Sequence, residues 1–188
     1  MEAPSQMMES WVWQPQTIKM MSKHYKTGES LPDEVLKKMI ELKQLGQALG
    51  YTSQVIYAQM DLDFHSNPEA AKDTQKHIQK LYADLVGLEL EDNMYRQASF
   101  GHLAGVNTDT DGYDSAYYGY LWSEVYAKDM FTKFEEKGIL NPKVGMAYRK
   151  EILAPGSSRS VDVSLKKFLG RKPSDQAFFD ELGLKPLK

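Results

Sequence analysis

The chain has 188 residues, 41% hydrophobic and 26% charged, the balance of a folded chain, which excludes disordered, collagen-like and fibrous classes. Its 23 Lys and Arg against 26 Asp and Glu give a formal charge of -3 without a basic run, so nucleic acid and anionic membrane surfaces are not expected partners. Zero cysteines exclude a disulfide framework, a thiol nucleophile and cysteine-built zinc sites, and no apolar run approaches the roughly 20 residues that span a bilayer. Met1-Glu2-Ala3-Pro4 does not read as a secretory leader. A cytoplasmic location is expected, or a mitochondrial one if a targeting segment lies upstream.

Pro4 suits a first helical turn, Met7, Met8 and Trp11 follow at helical spacing, and Pro15 breaks or kinks that helix. A second helical run is expected to reach Tyr25, before the polar loop from Lys26 to Ser30. Pro32, Asp33 and Glu34 open a helix carrying Val35, Leu36, Met39, Ile40, Leu42 and Leu45, with Gly46 and Gly50 as weak points on the way to His65. Asn67-Pro68 reads as a cap plus first-turn proline for a helix stopping near Gly87. From Leu88 to Gly112 periodicity disappears and an ordered loop is expected. Asp114 is expected to cap a long helix ending at Gly138, and Asn141-Pro142 to start one broken at Ala154-Pro155-Gly156. Two short helices then end at Gly170 and Gly183. No run of alternating β-branched residues competes, so the sequence predicts an all-α chain, one helical segment over residues 1–188.

Clustered tyrosines are the first candidates for chemistry. On a helix begun at Asp114, with about 100° per residue, Tyr118, Leu121, Trp122, Val125 and Tyr126 form a broad apolar face, while Tyr117, Tyr120 and Glu124 lie away from it. Such phenols either pack against a neighbouring helix or donate to a substrate carbonyl or its oxyanion. Tyr113 sits at the mouth of the same helix, and His102 lies in the glycine-punctuated loop before it. None of His24, His65, His77 and His102 stand three or four residues apart, so no helical imidazole pair exists to bind zinc, and H-E-x-x-H is absent. Glu2, Gln6 and Glu9 can share one helix face, as solvated acids at a helix start also do. The run Asn107 to Gly112 imitates the opening of a calcium loop, but Tyr118 stands where the closing acid belongs, which favours a polar surface excursion.

Taken in order, several blocks resemble one family. Glu2-Ala3-Pro4-Ser5-Gln6-Met7 with Trp11, His24-Tyr25, Thr27-Gly28, Phe100-Gly101-His102 and Gly112-Tyr113-Asp114 are similar to the C-terminal part of thimet oligopeptidase and neurolysin-like zinc metallopeptidases. So are the run from Tyr117 to Val125, Asn141 to Gly145, Tyr148-Arg149, Ile152-Leu153, Pro155-Gly156, Phe168 to Arg171, and Phe178.

The resemblance implies a helical endopeptidase that cuts short peptides in a deep channel, where zinc activates water, the glutamate of H-E-x-x-H is the general base, and tyrosines with a histidine hold the scissile peptide. By matching motifs it implies that Glu2 is the third zinc ligand. His102, Tyr113, Tyr117 and Tyr120 would then contact the substrate, with Tyr113 and Tyr120 serving the transition state. Catalytic zinc wants three protein ligands and an open position, and one carboxylate does not supply them. The chain is therefore expected to be the C-terminal part of a larger catalytic domain, inactive alone, with the remainder of the peptidase or another protein subunit as partner. A truncated, non-catalytic paralogue serving as a binding or scaffold subunit is the alternative. Val106 to Asp111 also reads as an insertion between Gly105 and Gly112 that the family's short glycine-rich loop lacks.

Overall fold

Proline and glycine punctuation cuts this chain into helices, and their local chemistry shows why. A computed structural model of the chain describes residues 2–104 and 113–184; the Asn107–Gly112 calcium-loop resemblance and the Val106–Asp111 insertion lie outside them. Among the described residues there are helices and turns and no strand, so the fold is all-α. Among these residues ten α-helices run in order: α1 (Glu2–Glu9), α2 (Pro15–Met21), α3 (Asp33–Leu42), α4 (Gln47–Ser66), α5 (Pro68–Lys72), α6 (Thr74–Val86), α7 (Gly119–Lys137), α8 (Pro142–Tyr148), α9 (Val161–Leu169) and α10 (Gln176–Glu181). They fall into two compact units, Met1–Leu45 with Trp122–Lys188, and Gly46–Leu121.

The first unit closes on a core of Met7, Ala127, Met130, Phe131, Phe134, Val144, Tyr148, Leu165 and Phe168. Trp11 meets Phe131 and Phe134 edge-on at 4.7 Å each, and its indole N–H donates to the Ile139 carbonyl at 2.9 Å. Burying a Phe or Met side chain stabilises by about 1.5–3 kcal/mol, so this aromatic and methionine core outweighs any single polar contact of the unit. In the second unit α4 and α6 pack through Ile56, Met60, Ile78, Leu81 and Tyr82. Asp63 and His77 join the same two helices at 2.7 Å.

Several expected boundaries hold. Gly87, Gly138, Gly170 and Gly183 all have positive φ at helix ends, and Asn67 and Asn141 accept from the amides two residues on, in front of a first-turn proline. Others move. The second helix stops at Met21 rather than Tyr25, because residues 24–29 close a turn in which the amides of Gly28 and His24 bond His24 and Glu29 carbonyls. Gly46, at φ +77°, ends the continuation from α3, whereas Gly50 lies inside α4. Asp73 splits the expected helix after Asn67 by capping α6 through the Lys76 amide. Two short 3-10 turns, Arg96–Ser99 and Gly101–Ala104, occupy the expected loop.

The largest correction concerns Asp114. The helix that ends at Lys137 begins at Gly119, and residues 114–118 form turns instead. Tyr118 and Trp122, expected on the core face, are exposed, and the buried stripe of α7 is Ala127, Met130, Phe131 and Phe134. Tyr120 is seven residues before Ala127, about 20° from it around the helix, so it continues that stripe and does not lie opposite it.

Candidate functional site

The turn before α7 is built by an acid far upstream. Asp61, fully buried in α4, accepts the Ser115 amide on Oδ1 at 3.1 Å and the Tyr117 amide on Oδ2 at 2.9 Å. Ser115 has φ +61° and is the one non-glycine residue with positive φ among the described residues. This backbone shape costs a side chain-bearing residue about 1–2 kcal/mol, and the two carboxylate bonds offset that cost. The helix does not start at Asp114 because Ser115, at φ +61°, is outside the right-handed helical region, and the two Asp61 bonds hold it there.

This turn brings four of the five expected site residues together within the second unit. The His102 ring meets Tyr113 at 5.2 Å, Tyr117 at 5.1 Å and Tyr120 at 5.8 Å, each close to edge-on. Tyr113 and Tyr120 stack at 5.5 Å with 10° between their planes. His102 Nε2 and the Tyr120 hydroxyl are 3.2 Å apart. All four residues are half-buried. Phe100 backs the cluster, 5.4 Å from His102 and 4.9 Å from Tyr117, and Tyr57 supports Phe100 at 4.7 Å.

The hydroxyls are not equivalent. Tyr117 donates its single proton to Gln54 Oε1 at 3.0 Å, leaving lone pairs to accept with. Burial pushes the Tyr117 phenol above its ordinary value, against the lowering effect of the Gln54 bond, so it stays protonated at neutral pH. When His102 carries its proton on Nε2 and donates that N–H to the phenol oxygen, the Tyr120 O–H is left to donate elsewhere.

Glu2 belongs to the other unit, on the first turn of α1, where its carbonyl and Oε2 accept from Ser5 Oγ at 3.1 and 3.3 Å. Gln6, one turn on, has a buried Oε1 without a hydrogen-bond partner among the described residues. Those residues contain no group of three or more His, Asp or Glu side chains able to hold a metal ion. The donors among the described residues do not make up a complete zinc site.

Gln54, Asp61 and Tyr57 are not among the residues the sequence singles out, and His65 enters it only as a histidine without a helical partner for zinc. Asp61 and His65 share an i, i+4 face, and an acid set among Ile56, Ala58 and Met60 on a buried helix is the signal that points to them.

One imidazole and three phenols thus meet in a single cluster on an all-α chain. The pattern of Peptidase family M3 matches residues 1–184, and the chain belongs to that family. It is 38% identical to saccharolysin of Saccharomyces cerevisiae over 97% of this chain and 25% of that protein. Oligopeptidase A of Escherichia coli is 35% identical over 98% of this chain and 27% of its own length. The thimet-like oligopeptidase of Dictyostelium discoideum is 33% identical over 97% and 27%. The chain thus spans about a quarter of the length of these relatives. No described helix is long and apolar enough to cross a membrane.

Proposed function

We propose that this chain is the C-terminal, substrate-holding part of a zinc oligopeptidase that hydrolyses short peptides. The observation that carries the reading is the His102–Tyr113–Tyr117–Tyr120 cluster, together with membership of a peptidase family. Tyr120 donates to the scissile carbonyl oxygen as negative charge develops there, with His102 orienting the phenol. Tyr117, its proton committed to Gln54, accepts from a substrate amide, and Tyr113 stacks on Tyr120 and fixes its ring. Glu2 supplies one carboxylate to a zinc ion whose other ligands come from outside these 188 residues; bound there, zinc would polarise water for attack on the peptide. Cytosolic and organellar oligopeptidases both occur among the relatives by name, so both locations fit.

The experiment is a replacement. Oligopeptidase A of Escherichia coli carrying this chain in place of its own matching quarter is expected to cleave a quenched fluorescent peptide in a zinc-dependent way, while the purified 188-residue chain alone binds no stoichiometric zinc and cleaves nothing. A folded chimera without turnover favours the non-catalytic binding or scaffold subunit, and metal-dependent turnover by the chain alone refutes an incomplete site.

A further inference from the structure

Among the described residues the second unit has one fully buried acid, and the turn that carries the tyrosines is tied to it. We propose that Asp61 is the positioning residue of the His102–tyrosine site: its carboxylate holds Ser115 in a left-handed conformation and so sets where Tyr113, Tyr117 and Tyr120 point. For its catalytic consequence this rests on the peptidase reading above; its structural content does not.

The geometry gives three independent reasons. A carboxylate removed from water is tolerated only when its lone pairs are filled by donors, and the donors here include two backbone amides of a turn more than fifty residues downstream. Ser115 sits between those amides' tyrosine neighbours, two residues from Tyr113 and two from Tyr117, so a relaxation of its φ from +61° to the ordinary negative region swings the one against the other. The Tyr113–Tyr120 stack, with 10° between planes, does not survive such a swing. His65 completes the anchor. Its Nδ1 lies 2.7 Å from the Asp61 carbonyl and 3.1 Å from Oδ1, and its Nε2 lies 4.0 Å from Oδ1 of Asp114, at the other side of the turn.

An acid that merely stabilised α4 would leave the site where it is when removed. The test therefore reads the tyrosines directly. In the full chain labelled with 3-fluorotyrosine, with resonances assigned by Tyr→Phe variants, Asp61→Asn is expected to move the Tyr113, Tyr117 and Tyr120 signals and leave that of Tyr148, in the core of the other unit, unchanged. Adding Ser115→Gly, which adopts positive φ without cost, is expected to return the three signals towards their parent positions. Unmoved signals, a shift shared by Tyr148, or no return with glycine overturn the proposal. If Asp61→Asn loses its helical circular dichroism, amide exchange in the parent chain decides: Ser115 and Tyr117 amides slower than that of Asp114 support the anchor, and equal rates overturn it. In the oligopeptidase A chimera Asp61→Asn should lower kcat by about 10- to 100-fold, the scale of an ångström-size misplacement, and raise KM as Tyr117 moves with Tyr120. Moved tyrosine signals with an unchanged kcat overturn the peptidase role of the cluster and leave the anchor standing.

Discussion

Arg171 closes on the buried carboxylate of Asp129 with both terminal guanidinium nitrogens, Nη1 to Oδ2 at 3.0 Å and Nη2 to Oδ1, across forty-two residues of chain. The Ser174 amide adds a third donor to Oδ2 at 2.9 Å. Asp129 and Asp61 thus do the same work in the two units, each holding an irregular segment against a long helix by filling a buried carboxylate with donors from that segment.

Removing Arg171 leaves Asp129 buried and short of its charge partner. Arg171→Met is expected to destabilise the chain by about 3 kcal/mol, the low end for breaking a buried pair because half of the Arg171 side chain is solvated. Urea unfolding measures it. The double variant with Asp129→Asn should recover part of the loss, since the neutral amide removes the unpaired charge; a loss below about 0.5 kcal/mol, as for a surface pair, refutes the assignment.

The helix ends were legible because their causes are local. Gly87, Gly138 and Gly170 stop helices through their own φ, and Asn67 and Asn141 cap through their own side chains. The start of α7 was not, because its cause lies in α4: nothing near Asp114 announces that Asp61 holds the next amides. Tyr118 falls in that turn, and Trp122 lies about 140° around α7 from Ala127, so the aromatic face it shares with Tyr126 is not the buried one. Within the site, His102 and the tyrosines were visible as residue types beside a glycine-rich loop. Gln54, which decides the role of the Tyr117 hydroxyl, was not, since a helical glutamine carries no sign of a partner sixty-three residues away.

Glu181 makes a pH prediction. Burial alone would push its carboxyl up, but hydrogen bonds from Lys128 at 2.7 Å and Lys43 at 2.6 Å outweigh this and hold it below the ordinary carboxylate value. A lowered folded value means stability that is present above the unfolded pKa of about 4.3 and is lost as pH falls through the folded one. Melting should therefore drop on acidification through this range, and Glu181→Gln should remove about 1 kcal/mol at pH 7 while flattening that part of the profile. An unchanged slope in the variant refutes it.

Tyr148 makes the opposite one. Its hydroxyl is buried without a hydrogen-bond partner among the described residues, in the core beside Phe168 at 5.5 Å and Phe134 at 6.3 Å. Burial pushes the phenol up to about 12. A raised folded value gives stability that is complete below the unfolded pKa of about 10 and is lost as pH rises towards the folded one. Tyr148→Phe should abolish this alkaline loss and, by removing an unpaired polar atom, stabilise the chain at pH 7 by about 1 kcal/mol. Destabilisation at pH 7 would show that the hydroxyl has a partner.

Tyr120 carries the sharpest prediction for chemistry, and it is made in the oligopeptidase A chimera. Its hydroxyl is 3.2 Å from His102 Nε2 and its ring is held between Tyr113 and Tyr117, at 5.5 and 5.1 Å, so removing only the oxygen leaves the packing intact. If the phenol donates to the oxygen that becomes an oxyanion when water attacks the peptide, the bond strengthens in the transition state. Its loss should then fall on kcat rather than KM, by about 10² to 10³ for one such donor. Tyr117→Phe should behave differently, because the Tyr117 proton is already given to Gln54: it removes an acceptor used in binding, and its main effect is expected on KM. Measuring kcat, KM and melting temperature for both variants separates these roles. A large fall in kcat for Tyr120→Phe at unchanged melting supports transition-state donation; kcat near the parent value makes Tyr120 ordinary packing and removes it from the site.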